Sequence, residues 1–288
     1  MGLDLAARTG RGRALLERAG RAAGIDARRV LERGGEAFGR TEVMQPLLVA
    51  VCMITAEALR AAGHAPDLVA GQSIGELGAW SAAGCIEPED AIDLAALRGR
   101  LMAREATRRP GGMLALVDCD QAAAERAIEH GRRHGAVDLA ARNAPDEWVL
   151  TGEHAALAAI AAAAPSVRLQ VAGPWHSRAM EGAVEELRIA MEQVTRRPSF
   201  APMVVNRTGL VAPGDDLIPG LLAGQLTRPI EWARSLTTLV EAGVTEIVTM
   251  GPGKVLRGLI RKNLGDRVRV LTTENAGDWD RALEALRR

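Results

Sequence analysis

Tyrosine is absent from this chain, phenylalanine occurs twice and tryptophan five times, so aromatic residues make up only 2% of its 288 positions. Alanine, leucine and arginine carry the bulk instead, a composition that favours helices. Cysteine is scarce as well. Cys52, Cys85 and Cys119 are odd in number and widely spaced, which gives neither a disulfide framework nor zinc-ligand spacing and fits a reducing cytoplasm. There is no excess charge of either sign. Lys and Arg total 36 against 36 Asp and Glu, so net charge argues for neither nucleic acid nor an anionic membrane as partner. Long apolar runs are also lacking. The longest, residues 47–56 and 155–164, fall short of the ~18 residues a membrane span needs. Residues 1–13 hold arginines and an early acid but no apolar signal core.

The chain does have Gly71-Gln72-Ser73-Ile74-Gly75, set between the run Asp67-Leu68-Val69-Ala70 and a helix-like segment over residues 76–83. A serine between two glycines at a strand-to-helix turn reads as a nucleophile elbow. Such a turn strains the serine backbone, and glycines two before and two after it remove side chains that would collide there. The hydroxyl then stands near the first amide N–H groups of the following helix, which can hold the oxyanion of an acyl group. This chemistry suits transfer or hydrolysis of an acyl unit.

The surrounding pattern predicts helices over residues 3–23 and 43–62, a short buried strand at 68–70, and a helix from Glu87-Pro88-Glu89-Asp90 to about residue 107. Strands at 113–117, 137–141, 148–151 and 167–171, with helices at 121–134 and 155–164, then succeed one another in the order βαββαβ. That order is ferredoxin-like. Gly111-Gly112 and Gly173-Pro174 bracket it, so residues 111–173 read as a small subdomain inserted into a larger one, 1–110 and 174–288. In the larger part a helix at 178–195, a strand at 203–205, a helix at 231–242, a strand at 245–250 and a helix at 255–263 continue the alternation. This predicts an α/β fold with a parallel sheet.

Ser73 needs a base. His64, His130, His134 and His154 sit in helical or helix-end polar contexts, whereas His176 lies in the loop Gly173-Pro174-Trp175-His176-Ser177 at the junction of insert and main part. Loops held between rigid units are where reactive groups concentrate. No carboxylate is an obvious third member. Asp215 and Asp216 come later in chain order but sit in a Pro-Gly-Asp-Asp turn, and an imidazole oriented by a carbonyl or amide oxygen is an equal alternative. Arg98 neighbours Leu94, Leu101 and Met102 at helical spacing. It is either a snorkelling surface arginine or a fork for a substrate carboxylate, and the local pattern prefers the first.

These motifs, in this order, resemble malonyl-CoA:acyl carrier protein transacylases and the acyltransferase domains of polyketide synthases. The family's elbow is Gly-His-Ser-x-Gly-Glu; here it is Gly71-Gln72-Ser73-Ile74-Gly75-Glu76. Arg98-Gly99-Arg100-Leu101-Met102, Gly112-Met113-Leu114-Ala115, Asn143-Ala144-Pro145, Trp175-His176-Ser177, Val205-Asn206, Gln225 to Trp232 and Gly251-Pro252-Gly253 match the later landmarks. The resemblance implies Ser73 as nucleophile, His176 as base, Ile74 N–H as oxyanion donor, Arg98 as carboxylate partner and Gln225 as the group orienting His176. It adds Gln72, Asn143 and Trp175 as residues near substrate. Asn143 alternatively makes an Asx turn, and Trp175 either limits bulk at the malonyl α-carbon or packs in the core. The implied partners are malonyl-CoA as substrate and an acyl carrier protein, with no metal, cofactor, nucleic acid or membrane. Fatty-acid synthesis, polyketide assembly and malonate decarboxylation all stay open as pathways. So do hydrolysis of the acyl thioester and a weakened acyl-binding role.

Two departures accompany the resemblance. Gln72 stands where the family has histidine; it can donate and accept hydrogen bonds but cannot titrate near neutrality. The family's opening strand, ending in Pro-Gly-Gln-Gly with an oxyanion glutamine, has no counterpart, because Met1-Gly2-Leu3-Asp4-Leu5 resembles the family's segment just after that motif. Either the start is truncated, or the sheet lacks one strand and the oxyanion hole one donor.

Overall fold

The computed structural model describes residues 2–287. Its N-terminal part is helical, but residues 3–23 form two helices, α1 (Leu3–Arg8) and α2 (Gly12–Ala23). The chain turns extended at Thr9 and passes Gly10, the poorest helix former after proline. A short α3 (Ala27–Arg33) comes next, capped by Asp26, which accepts the Arg29 N–H at 3.0 Å. Beyond it lies α4 (Thr41–Ala61), 21 residues long. By length and composition α4 could cross a bilayer, which corrects the reading that no apolar segment reaches that length. Proline and glutamine interrupt its apolar letters, yet Val43, Leu47, Ala50 and Ile54 make one continuous, fully buried face.

Strand β1 (Val69–Ala70) leads through the elbow into α5 (Gly75–Ala82) and then α6 (Pro88–Arg108). Helices α4 and α6 pack closely. At Gly99 a Cβ would stand 2.7 Å from the Glu42 Cα, so only glycine permits this approach.

The inserted unit runs β2 (Gly112–Val117), α7 (Gln121–Arg132), β3 (Val137–Ala144), β4 (Glu147–Gly152), α8 (His154–Ala163) and β5 (Ser166–Arg168). Its sheet is antiparallel in the order β3-β4-β2-β5, the ferredoxin-like arrangement. Side chains alternate across it. Leu114, Leu116 and Leu150 pack under α7 and α8, while Met113, Ala115 and Val149 face the other way and join a core with residues beyond 200. Two main-chain bonds fasten β3 to that part: the Arg142 N–H donates to Ile230 O and the Ile230 N–H to Ala140 O, each at 2.8 Å.

The chain continues with α9 (Glu181–Gln193), β6 (Met203–Val205), β7 (Leu210–Val211), α10 (Ile218–Gly224), α11 (Trp232–Glu241), β8 (Glu246–Thr249), α12 (Lys254–Leu264), β9 (Arg269–Thr272) and α13 (Ala276–Leu286). Strands β1 and β6 pair in parallel, as do β8 and β9, and β7 adds an antiparallel edge to β6. The parallel strands thus form two pairs instead of one continuous sheet. Strands β1 and β8 each have a partner on one side only, and both line a cavity of about 620 Å³ walled by Cys52 and Ala56 of α4 and by Leu236 and Ile260 of α11 and α12. Among the described residues no strand lies between them.

Candidate active site

The elbow arises from one close approach. The chain folds back after β1 so that a Cβ on Gly71 would lie 2.1 Å from the Gly75 carbonyl carbon; glycine is obligatory there. Gly75 itself is different. A Cβ on it would meet nothing within 4 Å, which corrects the expectation that both glycines avoid collisions. The turn places Ser73 at φ 54, a left-handed conformation that non-glycine residues hold only when their surroundings enforce it. The Gly75 N–H donates to Gln72 O at 2.9 Å and the Glu76 N–H to Ser73 O at 3.1 Å, starting α5. The Ile74 N–H, at the N-cap of this helix, has no acceptor among the described residues and is available to an oxyanion.

His176 meets the serine from 103 residues away. Its Nε2 lies 2.8 Å from Ser73 Oγ, and it too has a positive φ, 58. Ser177 pins the loop by donating to Pro174 O at 2.6 Å. On the far side of the ring, Nδ1 lies 2.9 Å from the Gln225 side-chain nitrogen, a donor, and 3.3 Å from the Gln225 main-chain carbonyl oxygen, an acceptor. When Nδ1 carries hydrogen, that carbonyl accepts it and leaves Nε2 free to take the serine proton. Asp215 does not take part: it accepts from the Ser199 N–H at 2.8 Å and from its hydroxyl at 2.9 Å. Ser73 and His176 thus form a hydrogen-bonded pair with Gln225 on the far side of the ring.

Arg98 is 3% exposed, so the snorkelling reading is wrong. Because α4 crosses α6 at Gly99, the preceding side chain is enclosed between them. Arg98 Nη1 donates to Gln45 Oε1 at 2.7 Å and Nη2 to Ser73 Oγ at 3.1 Å. Gln45, buried on α4 and bonded to Thr41 Oγ1 at 2.6 Å, escaped the sequence reading. Its signal is a buried polar pair, Thr41 and Gln45, one turn apart on a largely apolar helix. Burial pushes the Glu76 carboxyl up to about 8, against the Asn206 N–H and the Arg98 charge. Burial also lowers Arg98 to about 10, which still leaves it a cation. The site therefore holds a buried positive charge whose bonded partners are neutral, an arrangement that favours an anionic ligand group.

Burial, then the Arg98 charge, lower His176 to about 3, opposed by its bond to the Gln225 backbone. The imidazole is neutral across the physiological range, as a base must be. We expect the rate of Ser73 acylation to be flat between about pH 5 and 7, measured by stopped flow; an acid limb at the ordinary histidine value of about 6.5 would contradict it. The same shift opposes folding in acid. The unfolded chain takes its proton near 6.5 and the folded one only near 3, so this contribution to stability falls as pH drops through that interval.

The remaining expected residues cluster nearby. Gln72 Nε2 donates to Asn143 Oδ1 at 2.9 Å, and Asn143 Nδ2 to Glu147 Oε1 at 3.1 Å, so a side-chain bridge ties the elbow to the small sheet. Trp175 is half-buried and packs against two of the hydrophobic cores. Asn206, which the sequence marks only as a landmark, is fully buried beside the elbow, where its Oδ1 accepts the Ser73 N–H at 2.7 Å.

The model of the acyl transferase domain family matches residues 1–209. The malonyl CoA-acyl carrier protein transacylase of Mycolicibacterium smegmatis is 35% identical over 237 residues, 78% of this chain and 79% of that protein. A solved malonyl-CoA:acyl carrier protein transacylase from Xanthomonas oryzae superposes with a TM-score of 0.91 at 30% identity, covering 99% of this chain and 93% of that one. A malonyl-transacylase solved in complex with a type II polyketide acyl-carrier protein gives 0.91 at 27%, with 99% and 94% covered. With the family model, sequence similarity along most of both chains and a shared backbone all in agreement, the chain belongs to the acyl transferase domain family.

Proposed function

We propose that this protein moves a malonyl group from coenzyme A to the phosphopantetheine thiol of an acyl carrier protein, through an ester on Ser73. One observation carries the reading: Ser73 Oγ stands between a neutral imidazole at 2.8 Å and a buried guanidinium at 3.1 Å. Nucleophile, base and carboxylate partner thus meet at one oxygen. The names of the relatives, and a related transacylase solved with its carrier protein, support the same donor and acceptor.

The geometry orders the steps. Ser73 gives its proton to His176 Nε2 as Oγ attacks the thioester carbonyl, and the Ile74 N–H receives the tetrahedral oxyanion. Collapse breaks the C–S bond, and His176 returns the proton to the departing thiolate as free coenzyme A. The carrier thiol then gives its proton to His176 and attacks the Ser73 ester, and the serine oxygen recovers the proton on leaving. Arg98 pairs with the distal carboxylate throughout. Burial is the main cause that depresses His176 and the Arg98 charge the second, so pairing Arg98 with a malonyl carboxylate offsets only the second of them. We assign substrate to the junction of residues 1–110 and 174–288 with residues 111–173, where Gln72, Asn143 and Trp175 border the dyad.

Mass spectrometry tests this directly. Protein mixed with malonyl-CoA should gain one malonyl group on the Ser73 peptide, and added holo carrier protein should remove it and become loaded. Free malonate with an unloaded carrier would identify a thioester hydrolase instead.

A further inference from the structure

We infer that Asn206 is a positioning residue that locks the nucleophile elbow and decides which amide serves the oxyanion. It comes directly after β6, whose register with β1 pairs Ala70 with Val204, so Asn206 lies level with the elbow. Its carboxamide bridges the turn from both ends. Nδ2 donates to Gly71 O at 2.6 Å, and Oδ1 accepts the Ser73 N–H at 2.7 Å. Its own backbone is held as tightly: its N–H donates to Glu76 Oε1 at 2.7 Å, and its carbonyl accepts the Glu231 N–H at 2.8 Å. The residue is 0% exposed, so water cannot substitute for any of these bonds.

The bridge acts on both the serine backbone and the oxyanion donor. Ser73 sits at φ 54, a conformation that persists only where the surroundings over-determine it, and the Asn206 bridge spans the residues that impose it. Moreover, the Ser73 N–H is already engaged, so it is not free to bind substrate, and the Ile74 N–H is left as the elbow's donor. A single side chain must offer a donor and an acceptor in one plane at this reach. Asparagine does; aspartate would set a second acceptor against Gly71 O, and alanine would leave both elbow groups buried without partners.

The test uses Asn206→Asp and Asn206→Ala with malonyl-CoA, following single-turnover acylation of Ser73. A nucleophile displaced by a fraction of an ångström should lose about 10²-fold in acylation rate at saturation, while the half-saturating malonyl-CoA concentration changes less than about threefold. Arg98 binding is untouched, which is why the two quantities separate. An unchanged saturated rate, or a half-saturating concentration that rises in step with the loss, overturns the inference. Should the variants not fold, hydrogen exchange at the Ser73 amide of the unaltered protein decides. Protection comparable to the amides of α5 supports the clamp, and free exchange overturns it. The inference rests on Ser73 being the acylated residue. If the unaltered protein takes no malonyl group, that reading fails; if it does and both variants acylate normally, only the clamp fails.

Discussion

Replacing His176 with alanine is expected to slow acylation of Ser73 by on the order of 10⁴–10⁶-fold, the range over which removing one member of a serine–histidine unit acts. Ser73→Ala should abolish the ester altogether. The magnitude is large because no other base can take over. Among the described residues the only other ionisable group bonded to Ser73 Oγ is the Arg98 guanidinium, a cation that cannot accept a proton. Glu76 is close in sequence, but its carboxyl is turned to the Asn206 N–H. Single-turnover acylation measured by quenched flow checks this. A loss below about tenfold for His176→Ala would remove the histidine from the reaction.

Arg98→Ala should reverse the acyl preference. Truncating one partner of a buried, hydrogen-bonded charge pair costs about 2–5 kcal/mol, so kcat/KM for malonyl-CoA should fall between about 30-fold and several thousand-fold. Acetyl-CoA has no carboxylate to lose. Its transfer should hold or rise, because removing the guanidinium also removes one of the two causes that depress His176. Thermal unfolding of the variant separates this from a folding defect. Gln45 Oε1 loses its donor, so a modest drop in Tm is expected. Parallel kinetics with malonyl-CoA and acetyl-CoA decide the matter; an equal loss for both substrates would show that Arg98 supports the serine and not the carboxylate.

The contrast between Ser73 and Arg98 shows where sequence reasoning reached and where it stopped. Ser73 was legible because its constraint is local: Gly71 must be glycine to let the chain fold back on Gly75, and both lie within five residues. The βαββαβ order was legible for the same reason, since strand and helix periods change over short windows. Arg98 looked like a surface residue because its helix neighbours report only one side of it. Its burial comes from α4, crossing at Gly99 from a segment more than forty positions earlier. The division of α1 from α2 and the short strands β7 and β9 escaped the pattern because their apolar runs are too brief to show a period.

The amino-acid sequence by itself determined the serine, the histidine loop, the order of the inserted strands and helices, and the family they resemble. Each is written in adjacent residues whose backbone needs are local. The resemblance named Gln225 beside His176; only the tertiary structure showed the contacts between them, set Asp215 apart on Ser199, placed Gln45 on Arg98, and put Asn206 across the elbow. The bonds of Gln225, Gln45 and Asn206 join residues 49, 53 and 133 positions apart. A buried polar group takes whatever partner packing brings within reach, and packing is a property of the whole chain.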